Sequence, residues 1–316
     1  MNVSTEQVKE DKFPPPSPAA SVRVCSARRS RQFFILSTLA PAILVLAALT
    51  IYPFVTNVYY SLLKYDLIRP KSRPFVGLNN YVELFTDPEF IQAALRTAYY
   101  VLFAVGIELL LGLLIAHVLS RIVVGAPIFR VILMLPIAAT PVAVGLIWRL
   151  MYNPTGGMAN HLLESIGLPG LKWTASMTTA LPSLILVDVW QWTPFVVLIL
   201  LAGMLALPEE PFEAATMDGA TGLQAFWYLE LPMLRPLIFV AVAFRFIDSL
   251  KAFDIIWVMT GGGPGYASTT LNILAFRTGF EFLHMGSASA IAVIMLLLAT
   301  AVTTALIKVG GLQSNA

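Results

Sequence analysis

Four charged residues, Arg245, Asp248, Lys251 and Asp254, stand inside an otherwise apolar run from about 237 to 259 and alternate in sign at steps of three. On one continuous helix this spacing sets each beside the next, and ionisable groups at membrane depth are costly enough to signal a purpose. Two readings are open: a self-neutralising set of ion pairs against neighbouring helices, or the lining of a wet pathway. A second candidate is VDVWQWTP, where Asp188, Trp190, Gln191, Trp192 and Thr193 precede Pro194. Aromatic rings stack on the C–H faces of sugars while amides and carboxylates bond hydroxyls. Trp190 and Trp192 point about 200° apart on a helix, so at most one faces a common pathway, and packing is the plainer role of each. A third candidate is the polar interruption EAATMDGATGLQAFWYLELPMLRP, from Glu213 to Pro236.

The elements that must position these residues are membrane helices. Of 316 residues, 58% are hydrophobic and only 12% charged, and the mean hydropathy is +0.78; a soluble domain carries about a quarter charged residues. A net charge of +2 gives no footprint for nucleic acid. The single cysteine, Cys25, makes no internal disulfide, and with no CxxC pair or His/Cys cluster no metal site is expected. No nucleophile has a spaced base and orienter, so no catalytic residue is expected either.

Crossing ~30 Å of hydrocarbon takes about 20 apolar residues. Runs of that kind lie at about 33 to 60, 97 to 119, 131 to 152, 180 to 206, 237 to 259 and 287 to 308. The fold class is therefore an all-α membrane protein with six transmembrane helices. Residues 1–32, rich in Pro, Ser and charge, read as a disordered tail. The run after Arg28, Arg29 and Arg31 is too long for a signal peptide and should stay as a span. Residues 33–308 form the transmembrane domain, and 309–316 a short second tail. The basic cluster abutting the first span tips the balance of Lys and Arg inward, which makes both termini cytoplasmic. In the second span, Glu108 and His117 read as lone groups for interhelical hydrogen bonds, and Gly112 and Ala116 as a small-xxx-small seam.

With that topology the polar interruption, 208–236 with its flanks, is cytoplasmic. Pro208 and Pro211 suit a helix's first turn, Glu209, Glu210 and Glu213 complement its positive end, and Asp218-Gly219 stops it. Thr221 and Gln224 form a T-x-x-Q capping box for a second helix with Leu223, Phe226 and Trp227 on one face, closed by Pro232. That face needs a cover. Lipid is one candidate, but five acids, Glu209, Glu210, Glu213, Asp218 and Glu230, against Arg235 alone would be repelled by an anionic leaflet. A protein partner fits better.

Here the sequence resembles a known family. Glu213-Ala214-Ala215, three residues, Gly219, nine residues and Leu229-x-Leu231-Pro232 are similar to the EAA loop of bacterial ABC-importer permeases, with Leu229 in place of Ile. YPFVTNVYYSL, FVGLNNYVELFTDPEF, WQWTPFVVLILLAGMLALP and FDIIWVMTGGGPGYASTTL resemble its carbohydrate branch, the maltose and glycerol-phosphate type, and the likeness runs from about 33 to 308.

The resemblance implies the fold of type I importer permeases, a multi-pass protein of the bacterial inner membrane. It implies a coupling helix seated on a cytoplasmic ABC ATPase dimer, with Glu213, Ala214 and Ala215 at the contact, Asp218 beside them and Gly219 bending the chain. A second permease subunit, in a heterodimer, and an extracytoplasmic substrate-binding protein complete the implied assembly. The cargo would be a sugar, oligosaccharide or polyol, with Asp188, Trp190, Gln191, Trp192, Arg245, Asp248 and Lys251 as pathway candidates. No G-x4-G-K-[ST] is present, and TGGGPG from Thr260 to Gly265 lacks the lysine and follows a membrane helix. No cofactor is therefore expected on this chain, and ATP and Mg belong to the partner ATPase. The alternatives are an ion-coupled secondary transporter using the charged ladder, or an ABC permease for another solute such as glycerol phosphate.

Overall fold

Long apolar runs must satisfy their own backbone in a bilayer, and only helices do so within one segment. The computed structural model describes residues 18–122 and 125–310 and, among these, contains helices and a single isolated β-bridge, between Leu63 and Phe75. The helices are α1 (Pro18–Ser61), α2 (Asn79–Thr86), α3 (Pro88–Arg121), α4 (Ala126–Ala138), α5 (Pro141–Met151), α6 (Met158–Ser165) and α7 (Ala180–Leu205). They continue as α8 (Glu210–Met217), α9 (Gly222–Ala225), α10 (Leu231–Leu250), α11 (Asp254–Thr260), α12 (Leu271–Phe276) and α13 (Met285–Val309). The chain divides into two units, Met1–Thr56 and Asn57–Ala316.

In the first unit, α1 begins at Pro18, so the part of the expected unstructured tail from 18 to 32 is helical instead. Proline is tolerated in a first turn, where its missing N–H has no partner to lose. The rest of that tail, 1–17, and most of the second tail, 311–316, lie outside the described residues.

Among the described residues four helices are long and apolar enough to cross a membrane: Ser37–Ser61, Pro88–Arg121, Ala180–Leu205 and Met285–Val309. They cover the first, second, fourth and sixth expected spans. The other two expected spans are each interrupted. The third is a pair, Pro127–Ala138 and Pro141–Met151, bent by 91°. Pro141 opens α5 and forces the residue before it, Thr140, out of helical geometry, to ψ 141. The fifth is α10, which stops at Leu250, and the separate short α11.

In the second unit the core is built on α3 against α7. Gly112 makes their close approach possible: a Cβ there would sit 2.6 Å from Val196 Cγ1. Ala93, Ala104 and Ala116 are likewise fully buried. Around Tyr100, Leu184 and Ile256 the two helices meet α10 and α11 in one apolar cluster, and around Leu200 and Leu234 in a second.

The Gly-rich segment forms a hydrogen-bonded loop beyond α11. Gly261 adopts a left-handed C-cap, and Ser268 Oγ donates to the Gly263 carbonyl at 2.7 Å while Thr269 Oγ1 donates to the Gly262 carbonyl at 2.9 Å.

Candidate functional site

Arg245 is the buried centre of the molecule's polar chemistry. It lies in α10 at 1% exposure, within the largely apolar run 237–250, where a buried guanidinium needs charged and hydrogen-bonding partners. Its Nε and Nη2 donate to the two oxygens of Glu108 on α3 at 2.5 and 2.7 Å, a fork-to-fork pair. Nη2 also donates to Asp188 on α7 at 2.8 Å and to Ser249 at 3.0 Å, and Nη1 donates to Asp248 at 2.8 Å. The Trp192 ring lies against the guanidinium at 4.9 Å. Three helices are thus pinned at one point.

The interhelical hydrogen bonding expected of Glu108 is present, and its partner is the buried Arg245, so it is not a lone polar group. The four-residue ladder is interrupted. Lys251 caps α10 and reaches Asp248 at 3.6 Å, whereas Asp254 begins α11 after a non-helical residue, Phe253, at φ −134. The Lys251 carbonyl freed by this break accepts from Asn272 Nδ2 at 2.6 Å.

Beside the cluster opens a cavity of about 270 Å³, walled by Asp188, Trp192, Asp248, Lys251, Phe253 and Asp254. Four of the seven sequence candidates for the pathway line it. Arg245 lies beneath the wall. Trp190 and Gln191 are directed elsewhere: Trp190 is 45% exposed and packs edge-on to Trp148 at 5.5 Å, and Gln191 Nε2 donates to the Ala139 carbonyl at 3.2 Å. Gln191 therefore caps the α4–α5 break. The side-chain directions that separate Trp192 from Trp190 follow from helical spacing.

Asp248 is the cluster's accessible member, with its side chain 39% exposed. Because Arg245 keeps both Glu108 and Asp188 when Asp248 is neutralised, Asp248→Asn should leave the fold within about 1 kcal/mol of wild type while removing the cavity's accessible negative charge. The yield and thermal midpoint of the purified protein check this. A marked loss of either would contradict it.

The second polar region is the EAA segment. Glu209, Glu210 and the exposed Glu213 stand at the start of α8, Ala214 and Ala215 follow within it, and Asp218 caps its end. Gly219 then adopts φ +78, with open space where a Cβ would be, so backbone strain alone restricts this position to glycine. Both arms of the Thr221–Gln224 capping box form, with the Thr221 amide donating to Gln224 Oε1 at 2.7 Å. Leu223, Trp227 and Tyr228 are 70%, 55% and 77% exposed.

The second helix does not stop at Pro232. From α9 it passes through a π-helical turn, Phe226–Glu230, directly into α10. Pro232 occupies the first turn of α10, where its missing N–H is tolerated. Glu230 also leaves the acidic face expected from sequence: it is 6% exposed and meets His117 Nδ1 of α3 at 3.0 Å. The Phe226 ring packs edge-on to the same imidazole at 4.7 Å. At about 1.5 Å per residue, the helix from Gly222 to Leu250 runs roughly 40 Å. It carries the uncovered EAA segment at one end and the Arg245 cluster near the other.

A polytopic helical bundle with a charged cavity at a broken helix and an uncovered helical segment at the end of a long lever is a membrane transport component. The chain belongs to the family of binding-protein-dependent transport system inner membrane components, the ABC importer permeases, whose model matches residues 108–309. It is 39% identical over 291 residues, 92% of this chain and 94% of the other, to a probable ABC transporter permease protein, y4oQ, of Sinorhizobium fredii. It is 35% identical over 270 residues, 85% of this chain and 91% of the other, to the trehalose/maltose transport system permease protein MalF of Thermococcus litoralis. A crystal structure of a bacterial ABC transporter that imports alginate has the same fold, with a TM-score of 0.79 at 19% identity over 92% of this chain and 99% of that one. A crystal structure of a bacterial alginate ABC transporter in complex with an alginate pentasaccharide-bound periplasmic protein shares the fold, with a TM-score of 0.76 at 19% identity over 92% of this chain and 96% of that one. The family is one of transport permeases, not enzymes.

Proposed function

We propose that this chain is the permease subunit of an ATP-driven importer that carries a neutral sugar, oligosaccharide or polyol into the cytoplasm. The observation that carries the reading is the unbroken helix from the EAA segment to Arg245. Movement imposed on Leu223 and Trp227 at one end is delivered to the wall of the charged cavity at the other. ATP and Mg²⁺ are held by a separate cytoplasmic ATPase dimer that seats Glu213, Ala214 and Ala215, with Gly219 setting the bend, and both termini of this chain lie on that side. ATP binding closes the ATPases, the lever tilts, and the bundle exchanges an inward-open for an outward-open packing. A second permease subunit completes the pathway, and an extracytoplasmic binding protein delivers the cargo and favours the outward-open state.

Charge supports a neutral cargo. The cavity and its floor carry Glu108, Asp188, Asp248 and Asp254 against Arg245 and Lys251, a formal excess of two negative charges. A phosphate ester would be repelled, whereas hydroxyls find acceptors, an ammonium donor and the Trp192 ring. The trehalose/maltose relative agrees with that class.

The test is to co-express the chain with its partners and follow uptake of trehalose and maltose in vesicles. A P-loop ATPase should co-purify, and uptake should stop on ATP depletion and survive collapse of the proton gradient. Uptake that survives ATP depletion and stops with the gradient would establish an ion-coupled secondary transporter instead.

A further inference from the structure

A second cavity adjoins the charged one. It has a volume of about 420 Å³, within the range of small-molecule sites. Its walls come from the end of α1 (Asn57), the α10–α11 break (Phe253), α12 (Asn272, Phe276), the following π-turn (Phe280) and α13 (Ser289). Phe253 lines both cavities, so a single side chain at the broken helix stands between them.

This wall sets three polar side chains, Asn57, Asn272 and Ser289, among apolar ones. Phe253 is held in place by Trp257, stacked at 5.6 Å and 12°, and by Phe276 at 5.1 Å, and Phe276 in turn meets Phe280 at 5.3 Å. The result is a fixed aromatic platform. Lining the same cavity are two amides, each with one N–H engaged: Asn272 Nδ2 donates to the Lys251 carbonyl at 2.6 Å and Asn57 Nδ2 to the Ser289 carbonyl at 3.5 Å. Each amide keeps a second N–H and its carbonyl oxygen, a poor match for hydrocarbon and a good one for hydroxyl groups.

From this geometry we infer that the Phe253–Phe276–Phe280 cavity is a second sugar subsite, adjoining the charged cavity. The cargo is then a neutral oligosaccharide of at least two rings: one ring beside Trp192 and the acidic groups, the next on the aromatic platform, with Phe253 between them. This rests on the neutral-sugar pathway proposed above.

The test is thiol labelling of the complete transporter, with ATPase, second permease and binding protein, in proteoliposomes. In a Cys25→Ser background, Ala292→Cys reports on the aromatic cavity, Ala252→Cys on the charged cavity and Leu297→Cys on the exposed apolar face of α13. A charged, water-soluble methanethiosulfonate reagent should modify the first two and not the third. Maltose, a neutral two-ring sugar, at ten times its dissociation constant should slow both reactions about tenfold. Ala292→Cys reacting no faster than Leu297→Cys overturns the subsite, since the cavity is then dry and holds lipid or a protein side chain. So does labelling of Ala292→Cys that maltose leaves unchanged while protecting Ala252→Cys, and in that outcome the pathway reading stands alone. Protection at neither position overturns the sugar pathway and the subsite together.

A second variant tests the platform by itself. Phe280 is 64% exposed, so its replacement spares the fold. Phe280→Leu should lower maltose uptake about two- to tenfold, the worth of an aromatic contact, and Phe280→Tyr should retain it. Equal uptake in Phe280→Leu and wild type would contradict the platform.

Discussion

Arg245→Ala should abolish most of the assembled permease. The substitution leaves Glu108 at 0% exposure and Asp188 at 3% facing each other with no cation, and removes the contact that joins α3, α7 and α10. Breaking a buried pair from one side costs about 3–5 kcal/mol, which lowers the folded-to-unfolded ratio by more than about a hundredfold and takes up much of a marginal protein's stability. Arg245→Lys should fail as well, because one ammonium cannot reproduce the forked pair to Glu108 together with the bond to Asp188. The triple change Arg245→Met, Glu108→Gln, Asp188→Asn removes all three charges and should restore most of the yield, since uncharged packing replaces buried ion pairs at little cost. Size-exclusion profiles and thermal midpoints of the detergent-purified complex check both halves. Arg245→Ala assembling at wild-type yield would show that the cluster does not hold the bundle.

How much of this was legible in the sequence depends on the range of each interaction. The span positions of α3, α7 and α13 follow from run length alone, and the Thr221–Gln224 capping box from a three-residue spacing. The breaks were partly legible. Pro141 announces the bend between α4 and α5, yet a hydropathy count reads through it. Nothing local marks the end of α10 at Leu250; it depends on Asn272, 21 residues away, to satisfy the Lys251 carbonyl. The spacing of Arg245, Asp248, Lys251 and Asp254 suggested a self-contained ladder, whereas the strongest partner of Arg245 is Glu108, 137 positions earlier. The available signal was charge arithmetic: a lone acid in one span and an unbalanced cation in another need one another at membrane depth. Asn160 likewise carries no local signal. It bonds the Leu171 backbone at both N and O and accepts from Trp173 Nε1 at 2.7 Å, organising the loop after α6 through contacts that no short motif encodes.

Glu213→Lys should disconnect the permease from its energy source while leaving the bundle intact. Glu213 is exposed in the first turn of α8 and, among the described residues, has no ion pair within the chain, so its reversal removes nothing from the fold beyond a favourable charge at a helix N-terminus. That contribution is about 0.3–1 kcal/mol. At a contact with a second protein, the same reversal replaces attraction by repulsion, and juxtaposed like charges cost several kcal/mol. The variant should therefore insert and purify normally, with the ATPase either lost from the complex or hydrolysing without regard to cargo. Leu223, Trp227 and Tyr228 are exposed as well, and in the proposed contact they would supply its apolar part.

The central claim is that energy enters through this segment from hydrolysis on another chain and reaches the cavity along the α9–α10 lever. Its most direct test is the rate of ATP hydrolysis by the reconstituted complex, with and without cargo-loaded binding protein, in wild type and Glu213→Lys. Stimulation of the wild type by loaded binding protein, and its loss in Glu213→Lys at unchanged permease yield, is the predicted result. Full ATPase association and full stimulation in Glu213→Lys would contradict it, as would transport by the wild-type chain with no ATPase present.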